Sequence, residues 1–539
     1  MVDAAIPYPE PSIDIILVQS SFLLLSNIVS TILDHVFYCG LVGQIVLGMA
    51  WGTPGSKLLS HTFEQAATQL GYLGLISIVF EGGLATSVKS VQENLFLSIC
   101  VAATGISLPI VFSFSLLALT DASNLQAFAA GAALCSTSLG TTFSLLKTTG
   151  LTTSRLGIIL TSAAMLDDVV GLIMVQVITN LGSHSGDFAA STLLRPILVS
   201  LGFAILLPLF CKFVSIPACK IWSKSKLPFP RWWDKVNKQN SLSLLYSTGV
   251  LIALVSAATY AGTSALFAAY LAGVFLSWFD EQIGDVERTG SADGAKQQSI
   301  SDSEKINPNH ADLQPCPSSR LPPPPPEEGH AKSETARSAE HPGGYIRLNG
   351  PSMCMYDQYY SPVVERILKP LFFGSIGFSI PITEMFRGTI VWRGIVYAML
   401  MAFGKVCCGL WLVRFTYDSA SKTKTTGKNK EKKQGKTVPR PKSLYPAWLL
   451  GSAMVVRGEI GFLISALAAS NGIFAADGDN VRAPSEIYLV VTWAILLCTI
   501  TIPIALGLVA KRVKRLQKQR QQNGDAAGQD PLGTWGVGG

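Results

Sequence analysis

A chain of 539 residues that is 49% hydrophobic and 14% charged, with mean hydropathy +0.38, reads as a polytopic membrane protein, not a soluble domain. Its net charge of +7 is confined to particular loops, so it marks membrane topology and argues against a nucleic-acid partner. The 10 cysteines form no framework, and the 6 histidines fall in or beside loops, which argues against disulfide scaffolding and a histidine metal site.

About thirteen apolar runs reach spanning length. The first, 14–32, has the length of a signal peptide, but acidic Asp3 and Glu10 precede it and no basic stretch does, so it reads as a retained span. The second, 37–52, carries Gly40, Gly43, Gly48 and Gly52 at spacings that let helices approach closely. The third, 66–84, ends in Glu81, placed near the interface and given no chemistry; the fourth is 93–119. The fifth, 123–146, is interrupted by Cys135-Ser136-Thr137-Ser138-Leu139-Gly140-Thr141-Thr142. Hydroxyls around a glycine can satisfy backbone groups where a helix unwinds and offer oxygen to a hard cation; they can equally join helix to helix, and this stretch alone leaves both open.

The sixth run, 155–179, holds Asp167 and Asp168 at its middle. Each buried acid costs about 2.5–3.5 kcal/mol on an insertion scale. Neighbours on a helix point about 100° apart, so one acid can face a cavity while the other faces a neighbouring helix. Paired acids at mid-membrane are the chemistry of a proton relay or a cation site; a structural ion pair needs only one.

Runs 193–219, 241–259 and 262–279 follow, and then the composition changes. Residues 280–358 are rich in Ser, Asp, Glu, Lys and His and include five consecutive prolines, Pro322 to Pro326, so a disordered cytoplasmic loop is expected. Runs 364–383, 388–414, 444–470 and 485–510 complete the membrane part. Lys405 is the lysine nearest the middle of an apolar run, and Met454-Val-Val-Arg457-Gly458-Glu459-Ile-Gly461 interrupts the next. Polar, glycine-marked interruptions in two parts of the chain point to an inverted-repeat transporter with crossed broken helices. Lys and Arg cluster after odd-numbered runs (Lys220 to Lys238, Lys422 to Lys442, Lys511 to Lys518), which places the N-terminus outside and the C-terminus in the cytoplasm. The tail after Arg520 is short and polar, and no glycine-rich fingerprint follows a strand, so no nucleotide-binding domain and no cofactor is expected.

Taken together, Thr137-Ser138 with Gly140, Asp167-Asp168, Gly262 to Gly273, Pro370 to Gly377, Gly404-Lys405 and Arg457-Gly458-Glu459-Ile-Gly461 resemble the monovalent cation:proton antiporters, in particular their second branch. The resemblance covers roughly residues 20–510. It implies an all-α membrane fold of about 13 helices with inverted repeats, two crossed broken helices, and a dimerising panel beside a core. It implies that Asp168 is the main cation and proton carrier, with Asp167 beside it and Lys405 as a charge partner. Thr137 and Ser138 would line the site, and Arg457 with Glu459 would support the cytoplasmic side of the core. On this layout 1–13 is an extracytoplasmic N-terminus, 14–279 and 359–511 are two parts of one exchanger domain, 280–358 is the loop and 512–539 a cytoplasmic tail. Gln44, where many relatives have Glu, and the long loop are departures from the pattern.

The function expected is exchange of sodium or potassium for protons by competition at the aspartate pair, in a homodimer within a lipid bilayer of the plasma membrane or an endomembrane. A gated potassium-efflux system and a non-transporting sensor are the alternatives; an enzyme is not expected, since no nucleophile–base constellation appears. An unpaired ammonium in a protein core is expensive, so Lys405 is expected to pair with Asp167 and leave Asp168 for the ion.

Overall fold

The computed structural model describes residues 10–37, 39–86, 94–138, 154–183, 190–210, 241–298, 351–413, 444–475 and 485–522, with single positions between and after these segments. Every regular element among them is helical. In chain order the main helices are α1 (Ile13–Phe37), α2 (Gly40–Trp51), α3 (His61–Leu84), α4 (Leu95–Ser113), α5 (Asn124–Cys135), α6 (Arg155–Ser183) and α7 (Ala190–Phe210). The second half has α8 (Ser241–Ala261), α9 (Ala265–Gln298), α10 (Lys369–Phe378), α11 (Gly388–Val406), α12 (Tyr445–Val455), α13 (Glu459–Ser470) and α14 (Glu486–Gln522). Eight helical stretches among the described residues are long and apolar enough to cross a membrane, and three apolar helices are shorter. The protein is an integral membrane protein, although helices of spanning length do not match the thirteen expected runs one for one.

The helices sort into two bundles. In one, α3 packs along α9 and α10, α2 along α1 and α10, and α8 along α9. In the other, α4 packs along α5, α6 and α11; α13 lies against α5 and α6, and α14 against α11 and α12. α7 touches α6 and α9 and so bridges them. On each side of α7 the chain builds the first bundle and then the second. With α12 and α13 taken as one interrupted element, each half places a broken helix in the middle of its second-bundle trio. Lipid makes no apolar distinction between helices, so close approach has to supply their attraction. A Cβ on Gly273 of α9 would stand 2.3 Å from the carbonyl oxygen of Phe80, and one on Gly83 of α3 2.2 Å from that of Tyr270. Only hydrogen fits at that crossing.

The interrupted 445–470 element of the second bundle lies in the interior of the molecule. Of the apolar window in the 445–470 stretch, 78% is buried inside the protein, against 11% for α1, whose Ile16, Leu24, Ile28 and Ile32 are exposed on an outer face. That gradient leaves the interrupted helix where no lipid reaches it, which is where irregular backbone is tolerated.

At both edges of the expected 280–358 loop the structure is helical. α9 continues to Gln298, and a helix resumes at Pro351, fifteen residues before the charged Arg366, passing through π-helical turns at Tyr356–Tyr360 and Val364–Leu368 on its way to α10. Asp280 explains the earlier restart: its carboxylate accepts the Ser352 N–H at 2.9 Å, satisfying a first-turn donor and joining the two edges. The charges of Asp357, Glu365 and Arg366 hide this helix from a hydropathy reading. Residues 299–350 lie outside the described residues.

Candidate ion site

Two helix interruptions meet in the second bundle. α5 opens with a capping box, in which Ser123 accepts from the Gln126 N–H and Gln126 accepts from the Ser123 N–H. It stops at Cys135, where Ser136 turns extended at φ −70° and ψ 147°. α12 stops at Val455; Val456 and Gly458 leave helical geometry before α13 begins at Glu459. The Ser138 N–H donates to the Val456 carbonyl at 2.8 Å, and the Thr137 hydroxyl lies 3.0 Å from the Met454 carbonyl. Carbonyls freed by one interruption are thus satisfied by the other. Gly458 is what permits the crossing, because a Cβ there would fall 2.7 Å from the Cβ of Ser138.

Arg457 sits fully buried at this junction and donates from Nη1 to the Ser136 carbonyl at 2.8 Å. The guanidinium therefore caps the end of α5, where unpaired carbonyls concentrate partial negative charge. Its Nε and Nη2 have no hydrogen-bond partner among the described residues. Arg457 and Glu459 form no ion pair with each other: the arginine turns to Ser136, and half-buried Glu459 opens α13, where a carboxylate complements the helix dipole.

α6 starts behind Ser154, whose hydroxyl accepts the Gly157 N–H at 3.1 Å, and carries both acids to the crossing. Asp167 is fully buried, as is Lys405 in the last turn of α11, and the two form an ion pair through Nζ and Oδ2. Thr137 completes the group: its hydroxyl contacts Asp167 Oδ2 and lies 2.9 Å from Lys405 Nζ. Asp167 Oδ1 is buried with no hydrogen-bond partner among the described residues. Asp168 is different. It is 8% exposed, forms no ion pair with a lysine or arginine among the described residues, and accepts from the Ser136 hydroxyl at 3.3 Å. One acid is committed to an ammonium, and its neighbour keeps oxygens available.

Of the residues singled out from the sequence, Thr137, Asp167 and Lys405 are in mutual contact, and Asp168 lies beside them on the same helix. Ser138 contributes its backbone N–H to the crossing; the hydroxyl that reaches Asp168 belongs to Ser136. Ser136 lies in the same hydroxyl-rich stretch, but nothing in the spacing distinguishes it from its neighbours.

The family model described as sodium/hydrogen exchanger, transmembrane, matches residues 21–289. Over 167 residues the chain is 29% identical to the high-affinity Na(+)/H(+) antiporter NhaS3 of Synechocystis, a match that covers 31% of this chain and 36% of that protein. It is 28% identical over 245 residues to cation/H(+) antiporter 17 of Arabidopsis thaliana, covering 43% of this chain and 28% of that one. The matched stretches thus span about a third of these relatives' own length. In shape the chain is similar to the sodium proton antiporter MjNhaP1 of Methanocaldococcus jannaschii, with a TM-score of 0.52 over 93% of this chain and 100% of that one, at 12% identity. That last likeness is one of fold. The chain belongs to the monovalent cation:proton antiporter family.

Proposed function

We propose that this protein is a secondary antiporter that exchanges a monovalent cation, sodium or potassium, for protons at the Asp167–Asp168 pair. The observation that carries the reading is the asymmetry of the pair at the helix crossing: Asp167 is held by Lys405 and Thr137, while Asp168 meets only a hydroxyl among the described residues. A carboxylate at such a place binds a proton or a hard cation, and occupancy by one displaces the other. Asp168 oxygens, the Ser136 hydroxyl and Asp167 Oδ1 supply the oxygen-rich surroundings such a cation takes. The Lys405 ammonium holds Asp167 in place, so the main exchanging proton is assigned to Asp168. Arg457, capping α5, holds the two interruptions together while the site is loaded and unloaded.

The bundle of α1–α3 and α8–α10 is assigned as a panel for homodimer contact and the second bundle as the moving core, with the basic loops and the C-terminus cytoplasmic. The test is a proteoliposome carrying a pH gradient and challenged with each alkali cation. Wild type is expected to dissipate the gradient on addition of sodium or potassium, and Asp168→Asn, which keeps side-chain size, is expected to lose this while still folding. Normal exchange by the variant would remove Asp168 from its role. Cation flux that ignores the proton gradient would indicate a gated efflux system instead.

A further inference from the structure

Beyond α14 two apolar residues return to the body of the protein. Leu532 is 1% exposed and Trp535 4% exposed, in a stretch whose composition reads as a polar tail. The Arg155 Cζ lies over the indole, 5.0 Å from the ring centroid, the geometry of a cation–π contact. Arg155 is the first residue of α6. Leu532 and Trp535 share a buried cluster with Leu97 and Val101 of α4, Leu156 and Leu160 of α6, and Ala510 and Val513 of α14. The same cluster includes Met454 and Val456, whose carbonyls hold Thr137 and Ser138 at the crossing.

We propose that Leu532 and Trp535, with Arg155, form a clamp that positions the acid pair for cation binding. This inference rests on the antiporter reading. Every helix represented in the cluster belongs to the core bundle, so a clamp there travels with the core and does not tie it to the panel. A device that blocks movement between bundles would need to touch both. What the clamp does fix is the end of α6, roughly 18 Å along the helix axis from Asp167 at 1.5 Å per residue. A helix held at that end transmits little tilt or rotation to its middle, and the packed cluster continues to the carbonyls that hold Thr137 against Asp167. Leu532, Trp535 and Arg155 are therefore positioning residues.

The test is the cation dependence of thermal stability of the full-length protein in detergent, paired with exchange in proteoliposomes, for wild type, Trp535→Ala, Trp535→Phe, Arg155→Ala and the Trp535→Ala/Arg155→Ala double variant. Trp535→Ala is expected to weaken apparent cation affinity about two- to fivefold, the scale of one cation–π contact to an exposed guanidinium. Trp535→Phe, which keeps a ring, is expected to restore most of it. The double variant is expected to be no weaker than the worse single one, since both remove the same contact. Unchanged affinity in Trp535→Ala, an effect that Phe does not rescue, or faster exchange at unchanged affinity would each overturn the clamp. The two readings fail separately. Wild type that exchanges nothing, while Trp535→Ala still weakens cation-dependent stabilisation, would remove the antiporter reading and keep the clamp. Wild type that exchanges, with Trp535→Ala identical to it in both readouts, would do the reverse.

Discussion

At the scale of single residues, the proposed exchange depends on which charge is paired and which is not. Breaking a buried pair by removing one partner costs about 3–5 kcal/mol, because the other charge stays buried without compensation. Lys405→Gln strands Asp167 in this way, so a clearly lowered thermal midpoint is expected, and Asp167→Asn/Lys405→Gln together should recover much of the loss. The lysine also bears on the charge moved per cycle. If Lys405 releases its proton when Asp167 is engaged, two protons move per cation and exchange in wild type should respond to an imposed voltage, while Lys405→Gln should not. Voltage-insensitive exchange in wild type would refute that cycle. These residues stood out in the sequence because ionised groups in the middle of apolar runs are costly and therefore conspicuous: Asp167, Asp168, Lys405 and Arg457 are all of that kind. Partners were less legible. The Arg457 contact with Ser136 joins residues 321 apart in the chain, and no local pattern reports a bond that long.

At the scale of elements, the candidate site forms where two helices stop and meet. Gly458 sets the distance between the stops, so Gly458→Val is expected to force Ser138 away from Val456 and abolish exchange even if the protein still inserts. The panel has a comparable constraint with a different consequence. Gly273→Val would overpack the α3–α9 crossing at a cost of about 1–3 kcal/mol, visible as a lower thermal midpoint with little change in apparent cation affinity. The interruptions were readable as hydroxyl- and glycine-rich breaks at 135–142 and 454–461 within otherwise apolar runs. Helix ends were not readable where charge and helix coexist. α9 runs on to Gln298 through a polar stretch, and the helix before α10 begins at Pro351 because Asp280, 72 residues before Ser352 in the chain, accepts the Ser352 N–H. Leu532 and Trp535 escaped for the complementary reason, since isolated apolar residues in a polar segment carry no periodicity.

At the scale of the whole molecule, the repeated order of panel and core elements around α7 places both interruptions in one buried bundle. The long insertion falls between α9 and the helix that begins at Pro351. Since Asp280 and Ser352 are in contact, its edges are already joined within the panel. Replacing residues 290–345 by a short Gly/Ser linker is therefore expected to leave exchange intact in proteoliposomes and to alter at most its set point; loss of folded protein would show that the segment packs against the body. The proposed exchange requires competition between proton and cation at one carboxylate pair. It is tested most directly by measuring exchange against cation concentration at a series of pH values. Competition predicts that the apparent KM for the cation rises as pH falls, by up to about tenfold per unit for one competing proton, while the maximum rate at saturating cation is unchanged. An apparent KM that stays constant across pH, with only the maximum rate falling, would contradict it.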